Sequence, residues 1–308
     1  MTTATATIGN ELKDRVRAAL IEKCGIVFNS EKPLQASKLS LGDAARMINR
    51  KGLSVSVLSN IANGKWEQYP VSEESILYLA QWLSISRWQT ADTYNFKKVM
   101  GVCHAAQSEN TSIAIAYEAG SGKTYALREY SNTRQNAYYL ECEEYYTKSV
   151  FLNKLRQALG LDTSPAPIAE MVEDITRRLN ELSDPLLIID EADKLKDGIL
   201  NFFKTLYNKC PGAGFVLAGT PYFKKRVSNG ARRDKQAYKE IYSRLGGEFV
   251  ALKPIGNKDI KQICSANGVS DGAAINFISE NCHGDLRVVE RLIKKALLTS
   301  KTNGHENV

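Results

Sequence analysis

The sequence is short of the features that mark secreted, membrane-spanning or zinc-built proteins. Its six cysteines, Cys24, Cys103, Cys142, Cys210, Cys264 and Cys282, are scattered, and no Cys-x-x-Cys pair occurs among them. That spacing argues against a disulfide frame and predicts reduced thiols. Cys103-His104 and Cys282-His283 are each too close in sequence to supply a four-ligand zinc set unaided. No apolar run approaches the ~18 residues of a membrane span, and the opening MTTATATIGNELKDRVRAAL has no basic start followed by an apolar core. A soluble, cytoplasmic chain with no membrane partner is therefore expected. Internal repeats and low-complexity tracts are also missing, which excludes repeat architectures.

What is present supports a sizeable core. The 308 residues are 43% hydrophobic, enough for one large domain with a smaller one attached. Lysine and arginine total 41 against 34 acidic residues, a formal charge of +7 that admits an anionic partner such as nucleic acid without requiring one.

Pattern divides the chain into four stretches. Residues 1–90 carry short amphipathic helical segments and no convincing strand, with polar punctuation at Asn63-Gly64 and Tyr69-Pro70. Residues 91–110, with Tyr94, Phe96, Val99 and Met100, read as a linker and docking helix. Across residues 111–253 short apolar runs (SIAIAY, AYYLECE, PLLIID, GFVLAG, GEFVAL) take turns with helical segments, which predicts an α/β core with a parallel sheet between helices. Residues 254–308 return to helix, near 257–267, 272–282 and 285–302.

The chemistry concentrates in AYEAGSGKTY, residues 116–125. Closely spaced glycines at a strand-to-helix junction let backbone N–H groups turn around phosphate oxygens where the helix dipole favours negative charge. Ala119, Gly120, Ser121, Gly122, Lys123, Thr124 and Tyr125 form this nucleotide-binding loop, with Lys123 reaching the outer phosphates of ATP and the Thr124 hydroxyl binding Mg2+. A glycine is the usual first residue of such loops, and Tyr117 stands there instead. The substitution calls for a permissive backbone angle at the opening turn but leaves the cradle intact. Further along, PLLIIDEAD places Asp190 and Glu191 at the C-terminal end of a buried strand, where ligands collect in open α/β sheets. Asp190 suits the Mg2+ shell, and Glu191 suits activation of the attacking water. GFVLAGT ends another strand at Thr220, whose hydroxyl could sense the γ-phosphate or position the water.

The N-terminal stretch LSLGDAARMINRKGLSVSVLSNIANGKW has the layout of a helix-turn-helix. One helix spans about 41–50, a Lys51-Gly52 turn follows, and a second helix spans about 54–62. Helical spacing predicts Val55, Leu58 and Ile61 inward and Ser54, Ser56, Ser59 and Asn60 outward, where they would face a major groove. Lys65 and Trp66 would add phosphate contacts. No arginine is available on the second helix for guanine. A second basic region, residues 222–244, holds eight basic residues against two acidic ones and reads as a solvated basic loop. Part of it, Lys224 and Lys225 included, is a candidate for DNA phosphates or a neighbouring subunit.

Together these motifs resemble the AAA+ ATPases: a phosphate loop, Asp-Glu after an apolar strand, a polar residue closing the next strand, an arginine near a helix end, and a helical lid. The resemblance implies that Arg244, in YKEIYSRLG, is an arginine finger serving a neighbouring subunit. It implies too that Arg287, in HGDLRVVERLI, senses the nucleotide from the lid. Within that superfamily the chain looks most like the phage Mu B protein and related transposition target-selection ATPases, through GSGKTYALREY, the compact spacing from IIDEADKL to FVLAGTPYF, and the helical domain before the core. That likeness implies a central DNA channel near Lys148 and Lys154.

It also implies a homo-oligomer or helical filament on double-stranded DNA, a separate transposase as partner, and disassembly on ATP hydrolysis. No transposase catalytic triad is evident, so the chain is not expected to cut DNA. The competing readings are a helix-turn-helix transcription regulator with an ATPase switch and a motor acting on protein.

Overall fold

In the computed structural model the described residues are 10–24, 40–83 and 88–303. The start of the chain read above for a leader, residues 25–39, the end of the N-terminal region at 84–87 and the tail from 304 lie outside them. The chain divides into two compact units, Met1–Trp88 and Gln89–Val308.

Four helices are described in the first unit: α1 (Asn10–Cys24), α2 (Leu41–Ile48), α3 (Val55–Ala62) and α4 (Glu73–Trp82). Ser40 caps α2 by accepting the Asp43 N–H, and Asn49 ends it in the left-handed conformation at φ 40°. The first helix is therefore two residues shorter than expected. Ser54 caps α3 by accepting from Val57 N–H. The core joins Val16 and Leu20 of α1, Ala44 and Ile48 of α2, Leu58, Ile61 and Ala62 of α3, and Ile76 and Leu79 of α4. Arg17 Nε donates to the Ala62 carbonyl at 2.9 Å and closes the end of α3. One inward assignment is corrected: Val55 is 47% exposed. As the first residue of α3 it overhangs the core, and the buried stripe runs through Leu58, Ile61 and Ala62 instead.

The second unit is built on a five-stranded parallel sheet in the order β2-β3-β4-β1-β5, with β1 (Ser112–Ala116), β2 (Ala137–Glu141), β3 (Leu186–Asp190), β4 (Gly214–Gly219) and β5 (Phe249–Val250). The central strands β3 and β4 are buried at every position, as strands covered on both faces must be. Their side chains alternate between two cores. Leu186, Ile188, Val216 and Ala218 meet α5 (Tyr94–Ser108) and α6 (Lys123–Thr133) on one face. Leu187, Ile189, Phe215 and Leu217 meet α7 (Lys148–Ala158), α8 (Ile168–Glu181) and α9 (Asp197–Lys209) on the other. The expected α/β architecture is thus the observed one. All five apolar runs became strands, and α5, read as a docking helix, packs on the sheet through Val99, Val102, Cys103 and Ala106.

After β4 come α10 (Pro221–Arg232) and α11 (Gln236–Arg244); beyond β5 come α12 (Asn257–Ala266), α13 (Gly272–Asn281) and α14 (Leu286–Asn303). The basic run read as a loop is therefore helical, a second correction. Pro221 starts α10 at the one turn where its missing N–H costs nothing, and Phe223, Val227 and Gly230 are its buried positions. All six cysteines are free and buried. Burial pushes the Cys103 thiol up to about 12, so it is neither thiolate nor reactive at neutral pH. Among the described residues no helix is long and apolar enough to cross a membrane.

Candidate active site

Parallel pairing brings the strand ends to one edge, because Glu141 lies opposite Asp190 and Ala116 opposite Gly219. The phosphate-loop candidate leaves that edge from β1. Tyr117 is not among the residues of positive φ, and its N–H donates to the Gly219 carbonyl at 3.2 Å. Its φ is therefore not of the left-handed kind, so the special backbone angle expected there is not needed, and the bond to the end of β4 ties down the entry of the loop. Positive φ falls on Gly120 (+77°) and Gly122 (+88°), where no Cβ opposes it. A Cβ on Gly120 would also overlap the Asp285 carboxylate.

Gly122 stands before α6 with no side-chain cap, which leaves the positive end of the helix facing the loop. Lys123 is 6% exposed, and its Nζ donates to the Tyr117 carbonyl (2.7 Å), the Glu118 carbonyl (2.8 Å) and Ser121 Oγ (3.4 Å). Burial lowers its pKa, opposed by the carboxylates of Asp190, Glu191, Asp193 and Glu118. Ala119 is exposed, and Thr124 is half-buried in the first turn of α6. The Tyr125 hydroxyl shares a 2.5 Å hydrogen bond with Thr90 Oγ1, and its ring lies 6.3 Å from that of Phe96.

Asp190 is fully buried at the end of β3. Tyr139 Oη donates to its Oδ2 at 3.0 Å, and the Glu191 N–H to its Oδ1 at 2.9 Å. Each carboxylate oxygen keeps lone-pair capacity, so this buried anion at the strand edge suits a hard divalent cation. Glu191 has φ +54°, a left-handed conformation uncommon outside glycine and concentrated at functional sites. Burial and the neighbouring Asp190 raise its pKa above the ordinary carboxylate value, the direction a general base needs.

Thr220 precedes α10. Its N–H donates to Asp193 Oδ1 at 3.2 Å and its hydroxyl to Asp193 Oδ2 at 3.1 Å. The first residues of α14 meet the loop: the Leu286 N–H donates to the Gly120 carbonyl at 2.9 Å. Next to it, Arg287 is held by Asp285 through its N–H (2.8 Å) and Nε (3.2 Å). The structure thus gathers loop, Asp190, Glu191, Thr220 and the Arg287 segment.

Arg244 is turned onto its own chain and is 20% exposed. Its Nε and Nη2 donate to Asn208 Oδ1 at 3.2 and 3.1 Å, and its Nη1 bonds Glu240 at 3.2 Å. Of the basic run, Lys224 and Lys225 are exposed on α10, whereas Arg226 pairs with Asp197 at 2.6 Å. Lys148 and Lys154 are exposed on α7. In the first unit Ser54 is committed as a helix cap and lies 2.9 Å from Ser56 Oγ, Asn60 is half-buried, and Lys65 is exposed.

Four residues of this site escaped sequence reading. Asp193 was visible as the last residue of DEAD, but nothing in the string aims its carboxylate at Thr220. Tyr139 reaches Asp190 only through the β2–β3 register. Asp285 lies against the loop because the start of α14 packs on Gly120. Asn95, 4% exposed, bonds both backbone groups of Lys253 at 2.9 Å and the Ser121 carbonyl at 3.5 Å.

An anion cradle with a buried lysine, a buried carboxylate fit for a cation, a second carboxylate of raised pKa and an adjacent hydroxyl can bind a nucleoside triphosphate and hydrolyse it. Residues 106–227 match the family model described as AAA domain. Over 263 residues the chain is 24% identical to the ATP-dependent target DNA activator B of Escherichia phage D108, and equally to that of Escherichia phage Mu, covering 82% of this chain and 82% of each relative. Among solved structures it overlays RuvB from Thermotoga maritima at 17% identity and a TM-score of 0.42, across 69% of this chain and 64% of that one. The chain carries an AAA-type ATPase domain and, over most of its length, resembles the ATP-dependent target DNA activators B of phages Mu and D108.

Proposed function

We propose that this ATPase is a largely sequence-nonspecific DNA-binding regulator of transposition, which assembles on target DNA with ATP, delivers that DNA to a transposase, and disassembles on hydrolysis. The observation that carries the reading is the extent of the similarity to the target DNA activators. It runs over 263 residues, more than twice the span of the AAA domain, and so includes more than an ATPase module.

In this reading Gly120, Gly122 and Lys123 hold the phosphates, while Arg287 approaches from the lid. Thr124 and Asp190 would hold Mg2+, which supplies charge neutralisation to the phosphates when bound. Glu191 takes the proton of the attacking water. Arg244 serves a neighbouring subunit, for which it must leave Asn208 and Glu240. Lys224, Lys225, Lys148 and Lys154 offer charge to DNA phosphates, and Ser56, Asn60 and Lys65 of the first unit a second contact. Phosphate contacts bring salt dependence and little sequence preference.

ATPase rate and particle size, measured with and without random-sequence duplex DNA at two salt concentrations, test the proposal. It expects DNA-stimulated turnover and ATP-dependent assemblies that shrink at high salt. Turnover and size indifferent to DNA would point to a motor acting on protein. A single protected operator would point to a transcription regulator.

A further inference from the structure

Thr220 meets a carboxylate rather than open space, and this limits what its hydroxyl can do. Asp193 Oδ2 accepts the Thr220 hydroxyl proton at 3.1 Å while Oδ1 accepts the Thr220 N–H at 3.2 Å. Both oxygens of one carboxylate are therefore engaged by one residue, a two-point grip that sets the Thr220 side chain as well as its backbone. The grip is itself held. Arg226 Nη1 donates to the Asp193 carbonyl at 3.2 Å, and Arg226 is in turn fixed by Asp197 at 2.6 Å and Tyr238 at 2.7 Å. Gly219 leaves room for the carboxylate, since a Cβ there would stand 2.7 Å from Asp193 Oδ1.

A carboxylate only accepts hydrogen bonds, and a hydroxyl has one proton to give. With that proton on Asp193, the rest of Thr220 Oγ1 is an acceptor. Terminal phosphate oxygens are acceptors too, so Thr220 in this state has nothing to donate to a γ-phosphate. Water can donate to it. We propose that Asp193 is a positioning residue for hydrolysis: by holding the Thr220 proton it turns Thr220 into an acceptor for the attacking water. Thr220 and Glu191 lie at the ends of adjacent paired strands, which gives that water two acceptors at one edge of the sheet.

In the step so oriented, the water oxygen bonds the γ-phosphorus as the bond from phosphorus to the bridging oxygen breaks. The bridging oxygen leaves on ADP, one water proton passes to Glu191, and the other stays on inorganic phosphate. The inference rests on the hydrolytic reading of the site and goes beyond it by separating two roles left open for Thr220.

The test is a mutant cycle on the full chain, reading kcat, nucleotide affinity for a slowly hydrolysed ATP analogue, and melting temperature. Thr220→Val and Asp193→Asn should each lower kcat by roughly ten- to hundredfold with affinity kept within about threefold, because only water orientation is lost. The double variant should be no slower than the slower single one, and Thr220→Ser, which keeps the hydroxyl, should recover most of the kcat that Thr220→Val loses. Asp193→Ala run through the same cycle gives a second arm should Asp193→Asn melt below the assay temperature. Losses that multiply in the double variant, a Thr220→Val kcat at the wild-type level, or affinity falling in step with kcat would overturn the proposal. Glu191→Gln separates the two levels: if it hydrolyses ATP normally, the hydrolytic reading itself fails, whereas failure of the Asp193 cycle with an inert Glu191→Gln leaves that reading standing.

Discussion

Lys123 directs its donors at the Tyr117 and Glu118 carbonyls and at Ser121, so bound polyphosphate takes over contacts the loop now makes with itself. Loss of these charge-assisted bonds in Lys123→Ala should weaken ATP binding by roughly ten- to hundredfold, read by titration of a fluorescent analogue. Glu191 carries a prediction with a sign. Its pKa is raised by burial and by Asp190, so the folded chain holds its proton more tightly than the unfolded chain does. The stability it contributes is complete below the unfolded-state pKa and is lost as pH rises through the higher folded value. Glutamine cannot ionise. Glu191→Gln should therefore melt above wild type at neutral pH, with the gap closing below the ordinary glutamate range, while turnover falls by about 10²–10⁴ and nucleotide binding persists. Melting curves against pH beside a phosphate-release assay check both halves.

At the scale of elements, the site depends on ties between pieces distant in sequence. Asn95 on α5 bonds both backbone groups of Lys253, which leads from β5 into the lid, and the Ser121 carbonyl of the loop. Asn95→Leu would bury those groups without partners, and a loss of about 1–3 kcal/mol in urea unfolding is expected. In the first unit Leu58, fully buried in α3, is the anchor; Leu58→Ala should remove about 2–5 kcal/mol from that unit. A calorimetric scan should show its transition shifted down. Element boundaries were most legible where apolar runs were bounded by turn residues, as at all five strands. The α10 helix was hidden because Phe223, Val227 and Gly230 are diluted by exposed charge, and a run of basic residues reads as loop by composition alone.

For the whole molecule, the proposed DNA contacts predict a measurable salt dependence. Reversing Lys224 and Lys225 together to glutamate should weaken binding to random duplexes and reduce the slope of log affinity against log salt by about 2, roughly one for each phosphate that is no longer neutralised. An unchanged slope would remove α10 from the interface. Arg244 belongs to this scale too, because its proposed work needs a second copy. Arg244→Ala should bind nucleotide normally, yet lose about 10³ in turnover under assembling conditions, seen by comparing dilute and DNA-assembled protein.

The parallel α/β core, the phosphate-loop candidate from Ala119 to Tyr125 and the acidic strand end at Asp190-Glu191 were legible in the amino-acid string, because strand alternation and phosphate chemistry each demand particular residues at short spacing. Thr220 was legible the same way, as the residue closing a strand. What these groups face came from the packing of the folded chain. Strand register delivered Tyr139 to Asp190, the turn after β3 delivered Asp193 to Thr220, and the start of α14 set Asp285 against Gly120. Such partners lie on different elements, and one-dimensional spacing carries no record of the angle at which two elements meet. The same limit applied to Arg244, placed at a helix end by the string and turned onto Asn208 and Glu240 by the packing of α11 on α9.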